Sequence, residues 1–296
     1  MRLLYFFKKK TLNQKIKNEI EESAGIKIGS ASSLSGGCIS DAYKIIDEAD
    51  RAYFLKMNSS PKDLFIKEAN GLTELRKANA IRVPEVILCK EDFLLTEFIE
   101  QSSRSKNFFE DFGRRFAEMH KFRGDKFGFY ENNYIGSNPQ INIPEEYNWT
   151  EFYFNKRILY QYKLAEKTGY ATDELRKGIN LLEKNINDII GISAEPPSLL
   201  HGDLWGGNYI VDEGGNACII DPAVYYGHRE ADLAMTKLFG GFNSEFYHSY
   251  NEAFPLKEGY LYRENIYKLY HVLNHLNLFG SSYYSQAISL IKWYKV

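Results

Sequence analysis

The residues best able to do chemistry stand in one run, His201-Gly202-Asp203-Leu204-Trp205-Gly206-Gly207-Asn208, with a further aspartate, Asp221, downstream. Pro196-Pro197 breaks the preceding helical pattern and Ser198-Leu199-Leu200 leads into the run. Tyr209-Ile210-Val211 and Ala217-Cys218-Ile219-Ile220 then read as a hairpin that ends at Asp221. An aspartate, an asparagine five residues later and an aspartate after the next hairpin strand are the types that phosphoryl transfer needs. One carboxylate accepts or orients the proton of the attacking hydroxyl, and oxygen ligands hold magnesium against the phosphates. On this reading Asp203 is the base, and Asn208 and Asp221 are the metal ligands. The competing explanation is a glycine-rich turn in which Asp and Asn merely satisfy the backbone.

Upstream features weigh against the bare turn. Ser35-Gly36-Gly37-Cys38-Ile39-Ser40 lies between two strand-like stretches, where the N–H groups around Gly36, Gly37 and Cys38 would approach phosphate closely. The run lacks the third glycine of a GxGxxG loop, and an ordinary hairpin turn would read the same way. Lys56 ends a β-like run, which suits a lysine reaching the α- and β-phosphates, and Glu68, early on the following helix, would pair with it. A surface lysine and a solvated glutamate are the alternative. Glu97-Phe98-Ile99 follows the last strand of this half, so the backbone of Glu97 and Ile99 is a candidate for the adenine edge; an ordinary linker would look identical. The order glycine turn, strand lysine, helix glutamate and then Asp, Asn, Asp reproduces a kinase layout, with ATP and Mg2+ as the implied cofactors.

The elements that must position these groups follow from periodicity. Ile16, Ile20 and Ala24 recur on one helical face, with Gly25 placed as a C-cap. Alternation then predicts strands over Ser32 to Leu34, Ile39 to Ile46 and Ala52 to Lys56, followed by an amphipathic helix between Pro61 and Ala78. Two more strands are expected in 83–88 and 93–99, and the polar run Gln101 to Asn107 breaks the β pattern. The boundary is therefore placed near residue 100, with an N-terminal lobe over 1–100 and a mainly helical C-terminal lobe over 101–296. Phe108, Phe109, Phe112, Phe116 and Met119 stripe the first helix of the second lobe, and Tyr153 to Leu182 contains one or two more. The stretch from Gly124 to Trp149 reads as a long irregular insertion whose aromatic residues argue for order.

Bulk properties exclude other classes. The chain has 296 residues with 44% apolar, 26% charged and 15% aromatic side chains, enough for a two-lobed domain. Its formal charge of −2 lacks the positive field that nucleic-acid binding uses, and the Lys8-Lys9-Lys10 run reads as a solvated end. Cys38, Cys89 and Cys218 form no CxxC pair and no disulfide framework, so reduced thiols in a cytoplasmic protein are expected. The opening apolar stretch is too short for a signal h-region, and no stretch approaches the ~20 apolar residues of a membrane span.

After Asp221 comes Pro222-Ala223-Val224-Tyr225-Tyr226-Gly227-His228-Arg229-Glu230-Ala231-Asp232-Leu233-Ala234-Met235, where protein kinases carry Asp-Phe-Gly. HGDLWGGN followed by DPAVYYGHREADLAM resembles the fructosamine kinase, or ketosamine-3-kinase, family within the aminoglycoside phosphotransferase and choline kinase group. Phe127-Gly128-Phe129, Asn133-Tyr134-Ile135-Gly136, Pro139-Gln140, Trp149, Arg157 and Gln161 resemble that family's segment between the main helices. The resemblance implies a bilobal, protein-kinase-like α+β fold: a small antiparallel sheet in the first lobe and a larger helical second lobe. It implies ATP-dependent phosphorylation of a ketosamine at the sugar C3 hydroxyl, the substrate being a small molecule or a glycated protein lysine. The unstable product would release the free amine. By position, Asp232 would brace the catalytic loop, and His228 and Arg229 would line the acceptor site unless they form a salt-bridged surface loop. Trp205, beside the base, would pack against the sugar, with an anchoring core tryptophan as the competing role. Another small-molecule kinase of the same fold, acting on an aminoglycoside, choline or homoserine, is the alternative, and a nucleotide-binding pseudokinase a third. A monomer is expected. Cys38, in the phosphate loop, suggests that oxidation, including a disulfide linking two copies, suppresses ATP binding; a buried, inert thiol is the competing reading.

Overall fold

The structure, a computed structural model, describes residues 12–34, 41–57, 60–193 and 195–294. The turn holding Gly36, Gly37 and Cys38 lies outside the described residues, and so do the roles expected of it. The chain divides into two units, Met1–Ala69 with Pro84–Glu100, and Asn70–Val83 with Gln101–Val296.

The first unit begins with α1 (Gln14–Ala24), whose N-cap Asn13 accepts from the Lys15 N–H and whose end is marked by Gly25 in the left-handed region. An antiparallel sheet follows, built from β1 (Ile28–Leu34), β2 (Asp41–Asp47), β3 (Ala52–Met57), β4 (Val86–Cys89) and β5 (Phe93–Glu97) in the order β1-β2-β3-β5-β4. Period-two alternation sends Tyr43 and Ile45 of β2 and Tyr53, Leu55 and Met57 of β3 to one face. There they join Ile16 and Ile20 of α1, together with Ile26, Ile28, Phe93 and Leu95, in one core. The same alternation puts Lys56 on the opposite face. The turn after β2 is capped by Asp47, whose Oδ1 accepts from the N–H groups of Ala49 and Arg51. Helix α2 (Leu64–Lys77) follows β3 in the chain.

In the second unit, α3 (Phe108–Lys121) buries Phe108, Phe112 and Phe116, and the expected aromatic stripe packs against Tyr209, Phe242 and Phe246, with Phe112 edge-on to Tyr209 and Phe246. The insertion is more regular than the sequence suggested. A short hairpin, β6 (Asn133–Ile135) with β7 (Asn138–Gln140), forms within it. Helix α4 (Trp149–Tyr153) runs through a π-helical segment, Phe154–Leu159, into α5 (Tyr160–Lys167), and α6 (Asp173–Ile190) follows. Three-residue strands β8 (Ser198–Leu200), β9 (Tyr209–Val211), β10 (Ala217–Ile219) and β11 (Tyr225–Gly227) pair as β9 with β10 and β8 with β11. Helices α7 (Glu230–Leu238), α8 (Ser244–Ala253), α9 (Tyr260–Phe279) and α10 (Tyr284–Lys292) complete the unit. Among the described residues, no helix is long and apolar enough to cross a membrane. A sheet-bearing unit beside a mainly helical one in sequence matches the α+β expectation.

Candidate active site

The segment after β8 is shaped by an aspartate that takes no part in it. Asp232, on α7, accepts from the His201 N–H through Oδ2 at 2.7 Å and from the Gly202 N–H through Oδ1 at 2.8 Å. Its Oδ2 also lies 3.2 Å from His120 Nε2, and His120 Nδ1 lies 2.8 Å from the Tyr250 hydroxyl. Burial pushes the His120 imidazole below its ordinary pKa, so the ring is neutral. The consistent tautomer carries the proton on Nε2, donating to Asp232, while Nδ1 accepts from Tyr250. Gly202 sits at φ +81°, and a Cβ there would lie 2.0 Å from the Ala223 carbonyl oxygen. Only glycine fits, and this close approach brings the loop against the segment that follows Asp221.

His201 joins the two halves of the constellation. Its Nε2 lies 2.9 Å from the Ile220 carbonyl oxygen and its Nδ1 accepts from the Asp203 N–H at 3.3 Å. Burial lowers its pKa as well, so the neutral ring donates from Nε2 and accepts at Nδ1. The Ala223 N–H donates to the His201 carbonyl at 2.9 Å, and the Ile220 N–H to that of Asn208 at 3.0 Å. These bonds grip the chain on both sides of Asp221, which adopts φ +55°. A non-glycine residue in the left-handed region carries about 1 kcal/mol of strain, sustained here by its fixed neighbours. The hairpin turn between β9 and β10 is held by Asp212, whose Oδ1 accepts from the Gly214 and Asn216 N–H groups.

Asn208 Nδ2 donates to the Asp203 carbonyl at 2.8 Å and to its Oδ2 at 3.2 Å, which turns the amide oxygen away from Asp203. Asp203 is half-buried as a residue. Even so, burial, and then the neighbouring charge of Asp221, push its pKa well above the usual carboxylate value; the Asn208 hydrogen bond opposes the shift. The three residues picked out by spacing are thus brought together as an acid of raised proton affinity beside an amide and a second carboxylate. Hard oxygen donors of this kind suit a magnesium ion better than a softer metal.

The loop bearing Asp221 is secured from the insertion. Asn133 Nδ2 donates to the Val224 carbonyl at 2.8 Å and Gln140 Nε2 to the Ala223 carbonyl at 2.9 Å. Asn142 is tied to Asn133, and Arg157 to Asn142, at 2.9 and 2.7 Å. The buried Arg157 guanidinium, on the π-helical segment, lies 4.1 Å from the Tyr225 ring centroid. Sequence reasoning missed His120, Tyr250 and the bonds from Asn133 and Gln140 to the loop as supports, because each acts on a partner 80 or more positions away.

In the first unit, Lys56 Nζ lies 2.6 Å from Glu68 Oε1, both side chains largely buried. The Glu97 N–H donates to the Glu85 carbonyl at 2.8 Å and Ile99 is buried. Trp205, within the catalytic loop, is 38% exposed and not a fully buried core residue.

His228 and Arg229 depart from expectation. Both are buried: His228 Nε2 lies 2.9 Å from the Ser193 carbonyl oxygen, and Arg229 makes a two-pronged pair with Glu195 at 2.7 and 3.0 Å. Arg229 also donates to the carbonyls of Phe254 and Pro255 and stacks 3.6 Å from the Phe254 centroid. With its donors engaged, Arg229 has a structural task, and both side chains are buried rather than open at the surface; a pair of polar residues after a strand carries no sequence mark of burial.

Comparisons with known proteins place the whole chain in a family. The sequence model of the fructosamine kinase family matches residues 10–295. The chain is 36% identical over 288 residues to a probable ketoamine kinase of Synechocystis sp., covering 94% of this chain and 95% of that one. It is 40% identical over 283 residues to a chloroplastic protein-ribulosamine 3-kinase of Oryza sativa subsp. japonica, covering 93% and 81%. A solved structure described as a fructosamine-3-kinase, from Thermobifida fusca, superposes with a TM-score of 0.86 at 30% identity over 95% of this chain and 99% of that one. An ADP-bound aminoglycoside phosphotransferase, at 16% identity and a TM-score of 0.65 over 95% and 98%, shares the fold alone. A family model that matches nearly the whole chain, with relatives at 36% and 40% identity over most of both lengths, means that this protein belongs to the fructosamine kinase family.

Proposed function

We propose that this chain transfers the γ-phosphoryl group of ATP to the C3 hydroxyl of a ketosamine and so leads to release of the amine. Membership of a kinase family makes it an ATP-dependent phosphotransferase; the ketosamine acceptor accords with its relatives named ketoamine kinase and protein-ribulosamine 3-kinase. The single observation that carries the reading is the cluster of Asp203, Asn208 and Asp221 suspended from Asp232 and His201.

In this reading Asp203 receives the proton of the attacking hydroxyl, and its raised proton affinity suits a base poised closer to neutrality than an ordinary carboxylate. Asn208 and Asp221 would hold magnesium, which would offset the negative charge of the phosphates. Lys56, oriented by Glu68, would contact the α- and β-phosphates, and the backbone at Glu97 and Ile99 would meet the adenine edge. Trp205 packs against the sugar. Catalysis then comes from positioning and charge stabilisation, without a covalent enzyme intermediate.

The test is magnesium-dependent ATP turnover measured in parallel with a ribulosamine, a fructosamine, an aminoglycoside and choline. Turnover with one or both ketosamines is expected, lost on chelation of the metal and in Asp203→Ala. A response to the aminoglycoside or choline alone refutes the acceptor assignment.

A further inference from the structure

An aromatic row leads away from the catalytic loop. The Trp205 ring meets Phe239 edge-on at 6.2 Å between centroids, and Phe239 meets His275 at 4.6 Å. His275 in turn contacts Phe279 at 5.3 Å and Tyr283 at 5.1 Å. Phe239 follows α7, His275 and Phe279 lie one turn apart on α9, and Tyr283 precedes α10. The catalytic loop and three further segments thus contribute rings to one row that starts two residues from Asp203.

The row is open to solvent: Trp205 and Phe239 are each 38% exposed and Phe279 is 65% exposed. Isolated exposed rings are ordinary, but a contiguous series against a catalytic loop marks a contact surface. Its inner end is fixed by backbone. A Cβ on Gly241 would lie 2.6 Å from Gly206 Cα, so the chain after Phe239 is pressed on the loop bearing Trp205, where no side chain could be inserted. The one imidazole of the row is neutral. His275 Nδ1 lies 2.8 Å from the His271 carbonyl oxygen, which holds the proton on that nitrogen, and burial lowers the ring's pKa.

Resting on the ketosamine reading above, we infer that Phe239, His275, Phe279 and Tyr283 form a subsite for the amine arm of the substrate, selecting ketosamines whose amine carries an apolar and, best, an aromatic chain. With the sugar against Trp205, the amine substituent is the part of the substrate that continues beyond the loop, and uncharged ring faces reward an apolar chain over a charged one. The inference commits to this occupant because the row is continuous with the loop that carries the base.

The experiment compares the fructose adducts of phenethylamine and of methylamine. Their ratio of kcat/KM is expected to exceed one in the wild type and to fall about fivefold in Phe239→Leu and in Phe279→Ser, the loss residing in KM. Tyr147→Ser, at an exposed ring outside the row, should leave the ratio as in the wild type. In a Trp293→Phe background, titration with unglycated phenethylamine should quench Trp205 fluorescence saturably, and Phe239→Leu should weaken that binding. A ratio that none of the variants alters overturns the subsite. So does a sedimentation shift from dimer to monomer in Phe279→Ser at constant ratio, which identifies the row as a contact between copies. If the wild type phosphorylates neither adduct yet the amine titration depends on Phe239, the acceptor reading fails while the apolar-amine site stands.

Discussion

Replacing Asp232 with asparagine tests whether the catalytic loop is suspended from a remote carboxylate. Asp232 accepts from two backbone N–H groups, those of His201 and Gly202, and faces His120 Nε2. In Asp232→Asn one of the two side-chain positions becomes an NH2 donor. His120 can adapt by exchanging tautomers, but a backbone N–H cannot, so in either amide orientation one buried N–H of the loop confronts a donor. An unsatisfied buried N–H costs about 1–3 kcal/mol, and loss of charge assistance in the bond that survives adds about 1 kcal/mol. The sum, about 2–4 kcal/mol, corresponds to a fall in Tm of roughly 5–15 °C for a unit of this size. Because His201 and Gly202 immediately precede Asp203, a displacement of the order of 1 Å should lower kcat about 100-fold in the molecules that remain folded. Calorimetry or a circular-dichroism melt gives the first quantity, and single-turnover kinetics below the transition gives the second. A variant that melts with the wild type and retains its kcat would refute the suspension of the loop from Asp232.

Three further outcomes follow from the same geometry. Asp203 has its pKa raised in the folded state, so the native protein binds the proton more tightly than the unfolded chain and this group's contribution to stability falls as pH rises through the folded value. Asp203→Asn should therefore raise Tm at pH 8 in the absence of nucleotide and metal, with the gain vanishing towards pH 4, while turnover is lost; an unchanged melting profile across that range contradicts the assignment. In the first unit, Glu68→Ala leaves the largely buried Lys56 ammonium without this carboxylate. About 2–3 kcal/mol of stability should be lost and KM for ATP should rise, both read from denaturant titration and initial rates. Arg229→Met breaks the buried pair with Glu195 and should cost about 3–5 kcal/mol by denaturant titration. The acceptor KM of the folded fraction should stay at the wild-type value, and a large rise would restore Arg229 to the acceptor site.

Much was legible in the sequence because it is local. The spacing of Asp203, Asn208 and Asp221 is set by a loop and a hairpin whose strands and turn residues lie side by side in the chain, so residue types alone announced the constellation. The period-two alternation of β2 and β3 and the helical spacing of Ile16 and Ile20 similarly identified the faces that form the first core. Irregular composition between Gly124 and Trp149 concealed β6 and β7, since three-residue strands offer too few alternating positions to stand out.

Tertiary structure alone decided what surrounds those residues. His120 is neutral and donates to Asp232 because α3 and α7 bury the two side chains together; nothing near His120 in the chain marks it for that task. Arg229 adjoins a recognisable motif and still points into the interior, because Glu195 and the carbonyls of Phe254 and Pro255 come from elsewhere to receive it. Asp203 itself shows the division most clearly. Its identity as a carboxylate in a glycine-rich loop is a property of the sequence. Its elevated proton affinity arises from burial and from the charge of Asp221, both of which depend on the folded arrangement and neither on the residues beside it in the chain.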